Sequence, residues 1–172
     1  MDYYELSVGI FKKNLVNLKH ILQKGDACRQ EQNGVEADWL DKRLAPDMFP
    51  LSRQITIACD NGKGASARLA GVTAPVMEDT ETTVSELLAR IDKTVAFLDT
   101  LTADQFAAAA TREVTLPYFP GKAFMGHDYL MQYALPNFFF HVNMAYAILR
   151  AEGASLGKAD YIGELTMHDV AA

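Results

Sequence analysis

The chain has 172 residues, 49% of them hydrophobic and 22% charged, which suits one soluble domain spanning residues 1–172. Lys and Arg number 16 against 22 Asp and Glu, and the net charge of −6 leaves nucleic acid without the cationic surface its phosphates need. No apolar run reaches the ~20 residues of a membrane helix, and the N-terminus lacks the basic-then-apolar order of a secretory signal. With Cys28 and Cys59 as the only cysteines there is neither a disulfide scaffold nor a metal knuckle, and the cytoplasm is the expected location.

Periodicity carries the fold. Tyr4, Val8, Phe11, Leu15, Leu18 and Leu22 follow one another at steps of four and three, which places them on one stripe of a first helix. Gly25 and Asp26 are expected to end it, with a polar loop running to Asp38 and a short amphipathic turn over Trp39–Leu44. Pro50 can open a second helix, and Asp47 just before it is expected to cap or orient that start. Leu51, Ile55, Ala58, Ala65 and Leu69 make its stripe. Gly62 and Gly64 lie inside it, either for close approach of a neighbour or as a local irregularity. In the third helix Thr83 and Glu86 have capping-box spacing, and Val84, Leu88, Ile91, Val95 and Leu98 form the apolar face. Val114, Leu116 and Tyr118 alternate before the turn dipeptide Pro120-Gly121, as in a short hairpin. Helical stretches at 126–134 and 137–151 follow, with Pro136 either starting or kinking the second. Gly153 is its stop, and a tail packs through Leu156 and Tyr161. The sum is an all-α four-helix bundle with a short β-hairpin excursion before the last helix.

Candidate chemistry is sparse. No HxxxH, HExxH, GxSxG, phosphate loop or GxGxxG is present. Of four histidines, His20, His127 and His168 fall at surface or terminal positions. His141 lies in the most apolar helix with Asn137 one turn before it on the same face. Two polar side chains there need partners or a ligand to offset desolvation. The plainest reading is a satisfied polar pair in the core. Gln54 borders the apolar stripe of the second helix and can join them, whereas Asp60 and Asn61 read as solvated surface. Cys59 reads as a small buried hydrophobe. Phe138, Phe139 and Phe140 point three ways around their helix, so one of them faces outward, which favours a homodimer.

The segments PNFFFHVNMAYAILRAEGASLGKADYIG, LAPDMFPLSRQITIACDNGKGASARLAG and TVSELLARIDKT together resemble the uncharacterised DUF-nineteen-ninety-three family, which is similar to the DinB/YfiT-like group. That resemblance implies a four-helix bundle, often dimeric, and in many members a nickel or zinc ion on three histidines. One histidine comes from the second helix, and two come from an HxxxH on the fourth, followed by Leu-Arg and a Gly. Here Leu149-Arg150 and Gly153 match, His141 stands at the second position of the pair, Asn137 at the first, and Ile57 or a neighbour on the second helix. Asn is a poor ligand for such ions, and one imidazole does not hold them. The resemblance therefore points to an uncharacterised DinB-like protein without the three-histidine site. Such a protein keeps a polar pocket of His141, Asn137, Gln54 and Asp47 for a small-molecule ligand and takes no cofactor. The alternative is a metal-dependent enzyme, of thiol transferase or hydrolase type, that holds nickel or zinc through an altered ligand set.

Overall fold

The computed structural model describes residues 1–170; the final two residues of the expected 1–172 domain lie outside the described residues. A π-helical turn, Glu5–Gly9, leads into α1, Ile10–Glu31. The short α2, Glu36–Leu40, precedes α3, Leu51–Ala70, and α4, Val84–Leu98. Two 3-10 turns, Ala103–Phe106 and Ala109–Thr111, then bring the chain to a two-stranded hairpin. In it β1, Glu113–Thr115, pairs antiparallel with β2, Ala123–Met125, with Val114 opposite Phe124. α5, Gly126–Asp128, a π-helical segment, Tyr129–Ala134, and α6, Leu135–Ala151, form one continuous helical run. α7, Lys158–Ile162, closes the described chain. The four long helices α1, α3, α4 and α6 form the expected four-helix bundle, and α3 and α6 share its most extensive contact.

The stripes expected from the four-and-three spacing are the core. Phe11, Leu15, Leu18, Leu51, Ile55, Leu69, Ile91, Phe138 and Leu149 are all buried in one cluster. Burial of this kind contributes about 1.5–3 kcal/mol per large aliphatic or aromatic side chain. The capping box at α4 is present: Thr83 Oγ1 accepts from the Glu86 backbone N–H while the Glu86 carboxylate accepts from that of Thr83. Gly153, at φ 92°, ends α6 in the left-handed region as expected. Behind it Leu156 is buried, and Tyr161 packs edge-on against Tyr146.

Three expectations are corrected. Gly25 and Asp26 lie inside α1, because a Cβ at residue 25 would stand 2.9 Å from Leu149 Cδ2 and 3.1 Å from the Trp39 ring. The glycine admits α6 and α2 to the helix; it does not end it. The loop thereby shrinks to the few residues around Asn33, at φ 56°, and the turn expected at Trp39–Leu44 is the helix Glu36–Leu40. Asp47 is exposed and does not cap α3, whose N-cap is Pro50 without a side-chain hydrogen bond. The stretches at 126–134 and 137–151 are not separate helices. The wider π-helical segment sits just before Pro136 and accommodates a ring that would otherwise strain the helix.

Candidate functional site

α3 and α6 run antiparallel, and three pairs of polar residues lie in order between α3 and the helical run formed by the π-helical segment and α6. Gln54 meets His141, Asn61 meets Asn137, and Arg68 meets Tyr129. The edge of α3 that faces the cavity is set by helical spacing, with Arg53, Ile57, Asn61, Gly64 and Arg68 at steps of four or three. Between these edges opens a cavity of about 470 Å³, lined by Arg53, Ile57, Asn61, Arg68, Asn137 and His141. Tyr129 and Tyr133 from the π-helical segment form its aromatic wall, and Leu116 and Tyr118 from the hairpin loop lie across it. Phe49, Asp60 and Asp79 complete it.

His141 is 7% exposed and Gln54 1%. Gln54 Nε2 donates to the Phe49 carbonyl at 2.9 Å, so its Oε1 is the atom 2.7 Å from His141 Nδ1. An amide oxygen only accepts, and Nδ1 therefore carries the proton while Nε2 keeps its lone pair. Burial, reinforced by the Arg53 charge, pushes the imidazole down to about 4. It is neutral at physiological pH. In the middle of the cavity Asn137 Nδ2 donates to Asn61 Oδ1 at 3.0 Å, and Asn61 Nδ2 is buried without a partner among the described residues. At the far end Arg68 Nη1 lies 3.4 Å from Tyr129 Oη, a long and weak contact.

The carboxylates at the cavity edge are turned toward an arginine beneath. Arg90, its side chain 1% exposed, sits 2.9 Å from Asp60, 3.0 Å from Asp79 and 2.9 Å from Glu81. Lys63 also pairs with Asp60, and Arg53 with Asp79. Asp79 is held below the usual carboxylate range by its hydrogen bond to Arg53 and by the Arg90 charge. Cys59 lies buried, its thiol pushed up to about 12 chiefly by burial, and it is no nucleophile at neutral pH.

The structure thus brings His141, Asn137 and Gln54 together, with Gln54 behind the imidazole, and leaves Asp47 outside the cavity. Asp60 and Asn61 are not free surface: one is an ion-pair partner of Arg90 and the other the partner of Asn137. Arg53, Arg68, Asp79 and the two tyrosines are cavity residues that the sequence reading did not single out. The four-step run from Arg53 to Asn61 and the three-then-four run to Arg68 carried that signal. Ile57, Asn137 and His141, which the family resemblance sets against a three-histidine site with Ile57 or a neighbour on the second helix, all line this cavity. One imidazole nitrogen, a carboxamide and an aliphatic side chain do not fit zinc or nickel. Among the described residues no three His, Cys, Asp or Glu side chains converge on a common point.

The chain is thus a four-helix bundle of DinB-like fold, with a polar cavity between its second and fourth long helices. The chain belongs to the family described as Domain of unknown function (DUF1993), which it matches over residues 3–162. It is similar to the crystal structure of a DinB family member protein from Shewanella denitrificans, with 39% sequence identity, TM-score 0.94, and coverage of 98% of this chain and 96% of that one. No curated protein matches it. No helix among the described residues is long and apolar enough to cross a membrane.

Proposed function

We propose that this DUF1993 protein is a cytoplasmic ligand-binding bundle in which a hydrogen-bonding cavity stands where related bundles hold a metal ion. The observation that carries the reading is the donor set around His141. Its Nδ1 is committed to Gln54, its neighbour on α6 is Asn137, and the facing position on α3 is Ile57. Such a lining offers hydrogen bonds to an organic molecule and too few donors to a transition metal. The rival reading, a metal-dependent transferase or hydrolase with an altered ligand set, rests on the one free Nε2 of His141.

Elemental analysis of untagged protein, with and without added nickel, zinc and manganese, separates the two. The expected result is no stoichiometric metal in either preparation. Near one equivalent, lost in His141→Ala, would overturn the proposal in favour of the enzyme. The homodimer belongs to the same proposal: of the three consecutive phenylalanines Phe138 is buried and Phe140 is 50% exposed. Sedimentation equilibrium of the wild type and of Phe140→Ser tests it, the dimer being expected to weaken in the variant.

A further inference from the structure

Of the charged residues that line the cavity or pair with those that do, one cation has no carboxylate of its own. Arg53, Lys63 and Arg90 are paired with Asp60, Asp79 and Glu81, three cations against three carboxylates. Arg68 is left over. Among the described residues no carboxylate lies within ion-pairing distance of it, and its single protein partner is the Tyr129 hydroxyl at 3.4 Å.

Its guanidinium is placed by a glycine. A Cβ at Gly64 would stand 2.6 Å from Arg68 Nη1, so the arginine folds back along α3 over a residue with no side chain. With any other residue there the guanidinium would have to move off the helix. Helix propensity argues against glycine at this point by about 1 kcal/mol, and the space it leaves is filled by the arginine head. Beside it Tyr129 and Tyr133 stack with ring centroids 6.0 Å apart, and one turn before Gly64 along α3 Asn61 Nδ2 has no acceptor among the described residues. The exposed Arg68, with no carboxylate of its own, the Asn61 side chain and an aromatic wall line the same cavity. A guanidinium presents a planar fork of donors that matches the oxygens of a carboxylate or a phosphate.

We propose that the Arg68 end of the cavity binds the oxyanion group, carboxylate or phosphate, of a small aromatic molecule whose ring lies against Tyr133, which backs onto the buried Tyr129. The proposal rests on reading the cavity as a ligand site. Asn61 and Asn137 then hydrogen-bond to the ligand's body, and neutral His141 accepts a hydrogen bond at the opposite end. Charge selection comes from Arg68 alone, since Arg53, the other cation lining the cavity, is paired with Asp79.

Calorimetric titration of the full chain tests this with benzoate and phenyl phosphate as anionic probes, benzamide as the neutral isostere and inorganic phosphate as the group without a ring. Benzoate or phenyl phosphate is expected to bind at least tenfold more tightly than benzamide and than inorganic phosphate. That preference should disappear in Arg68→Gln and survive in Arg112→Gln, a neighbouring cation that instead donates to the Leu69 carbonyl. Whichever anion binds more tightly identifies the group. The side-chain amide signals of Asn61 and Asn137 in nitrogen-15 spectra should shift with the same probes. Equal binding of benzamide, or wild-type affinity in Arg68→Gln, would overturn the anion inference and leave the ligand-site reading standing. Inorganic phosphate binding as tightly as phenyl phosphate would remove the aromatic half of the proposal. Silence from every probe, with unmoved amide signals, would sink both readings.

Discussion

His141 and Gln54 face each other across the α3–α6 interface, with Nδ1 and Oε1 2.7 Å apart, and the Phe49 carbonyl locks the amide so that its oxygen points at the ring. The pair fixes one tautomer and holds the lone pair of Nε2 available. It also ties the charge state of the imidazole to the stability of the bundle, because a protonated ring would sit buried beside Arg53.

That linkage has a defined sign. The folded-state value of about 4 lies below the ordinary 6.5, so between them the unfolded chain binds the extra proton and the folded chain does not. Stability from this group is full above pH 6.5, falls as the pH drops toward 4, and changes no further below it. A shift of this size corresponds to a loss of roughly 3 kcal/mol across the window. Asp79 and Asp160, both held below the usual carboxylate range, lose their contributions only at lower pH. Urea denaturation at pH 7, 5.5 and 4 should show the decline in wild type and a flatter profile in His141→Phe. Parallel profiles would remove the histidine as the cause.

Arg90 offers a second prediction. Replacing it by Met strands the largely buried Glu81 and leaves Asp60 and Asp79, both partly exposed, with only Lys63 and Arg53, so the cost should fall below about 3–5 kcal/mol, the figure for breaking a fully buried pair. The guanidinium also donates to the Glu78 carbonyl, so the segment between α3 and α4 should loosen. Limited proteolysis should then cut between residues 72 and 83 in Arg90→Met and spare the wild type. Adding Glu81→Gln should restore part of the stability by removing the stranded charge. No recovery would mean that packing of the long side chain matters more than its charge.

The bundle is legible in the sequence because its information is local. Steps of four and three name the buried stripes, and Thr83 with Glu86 names a helix start, each within a few residues. The cavity is legible only at its centre, where Asn137 and His141 share one helix face. Asp60 and Asn61 look like surface because they lie off the apolar stripe. What covers them, Arg90 and Asn137, comes from 30 and 76 residues away. Gly25 was misleading for a related reason: its local preference for ending a helix is overridden by Leu149 and Trp39, which need the space. Asp47 has the right residue type one turn before a helix, but Pro50 sets the start and its own side chain stays in solvent.

Gly25 in α1 and Gly64 in α3 should respond oppositely to the same change. In Gly25→Ala the new methyl meets Leu149 at 2.9 Å and Trp39 at 3.1 Å, both parts of a packed core. Overpacking of that kind costs typically 1–3 kcal/mol, more than the gain of about 1 kcal/mol in helix propensity. In Gly64→Ala the methyl meets only the tip of Arg68, which can swing away into solvent. The propensity gain then remains, and stability should rise by up to ~1 kcal/mol. Thermal unfolding of the two variants should therefore move Tm down for Gly25→Ala and up for Gly64→Ala. The displaced guanidinium gives the second change a further consequence: Gly64→Ala should bind benzoate and phenyl phosphate more weakly than wild type while being the more stable protein. Undiminished binding in that variant would show that the glycine does not place the arginine.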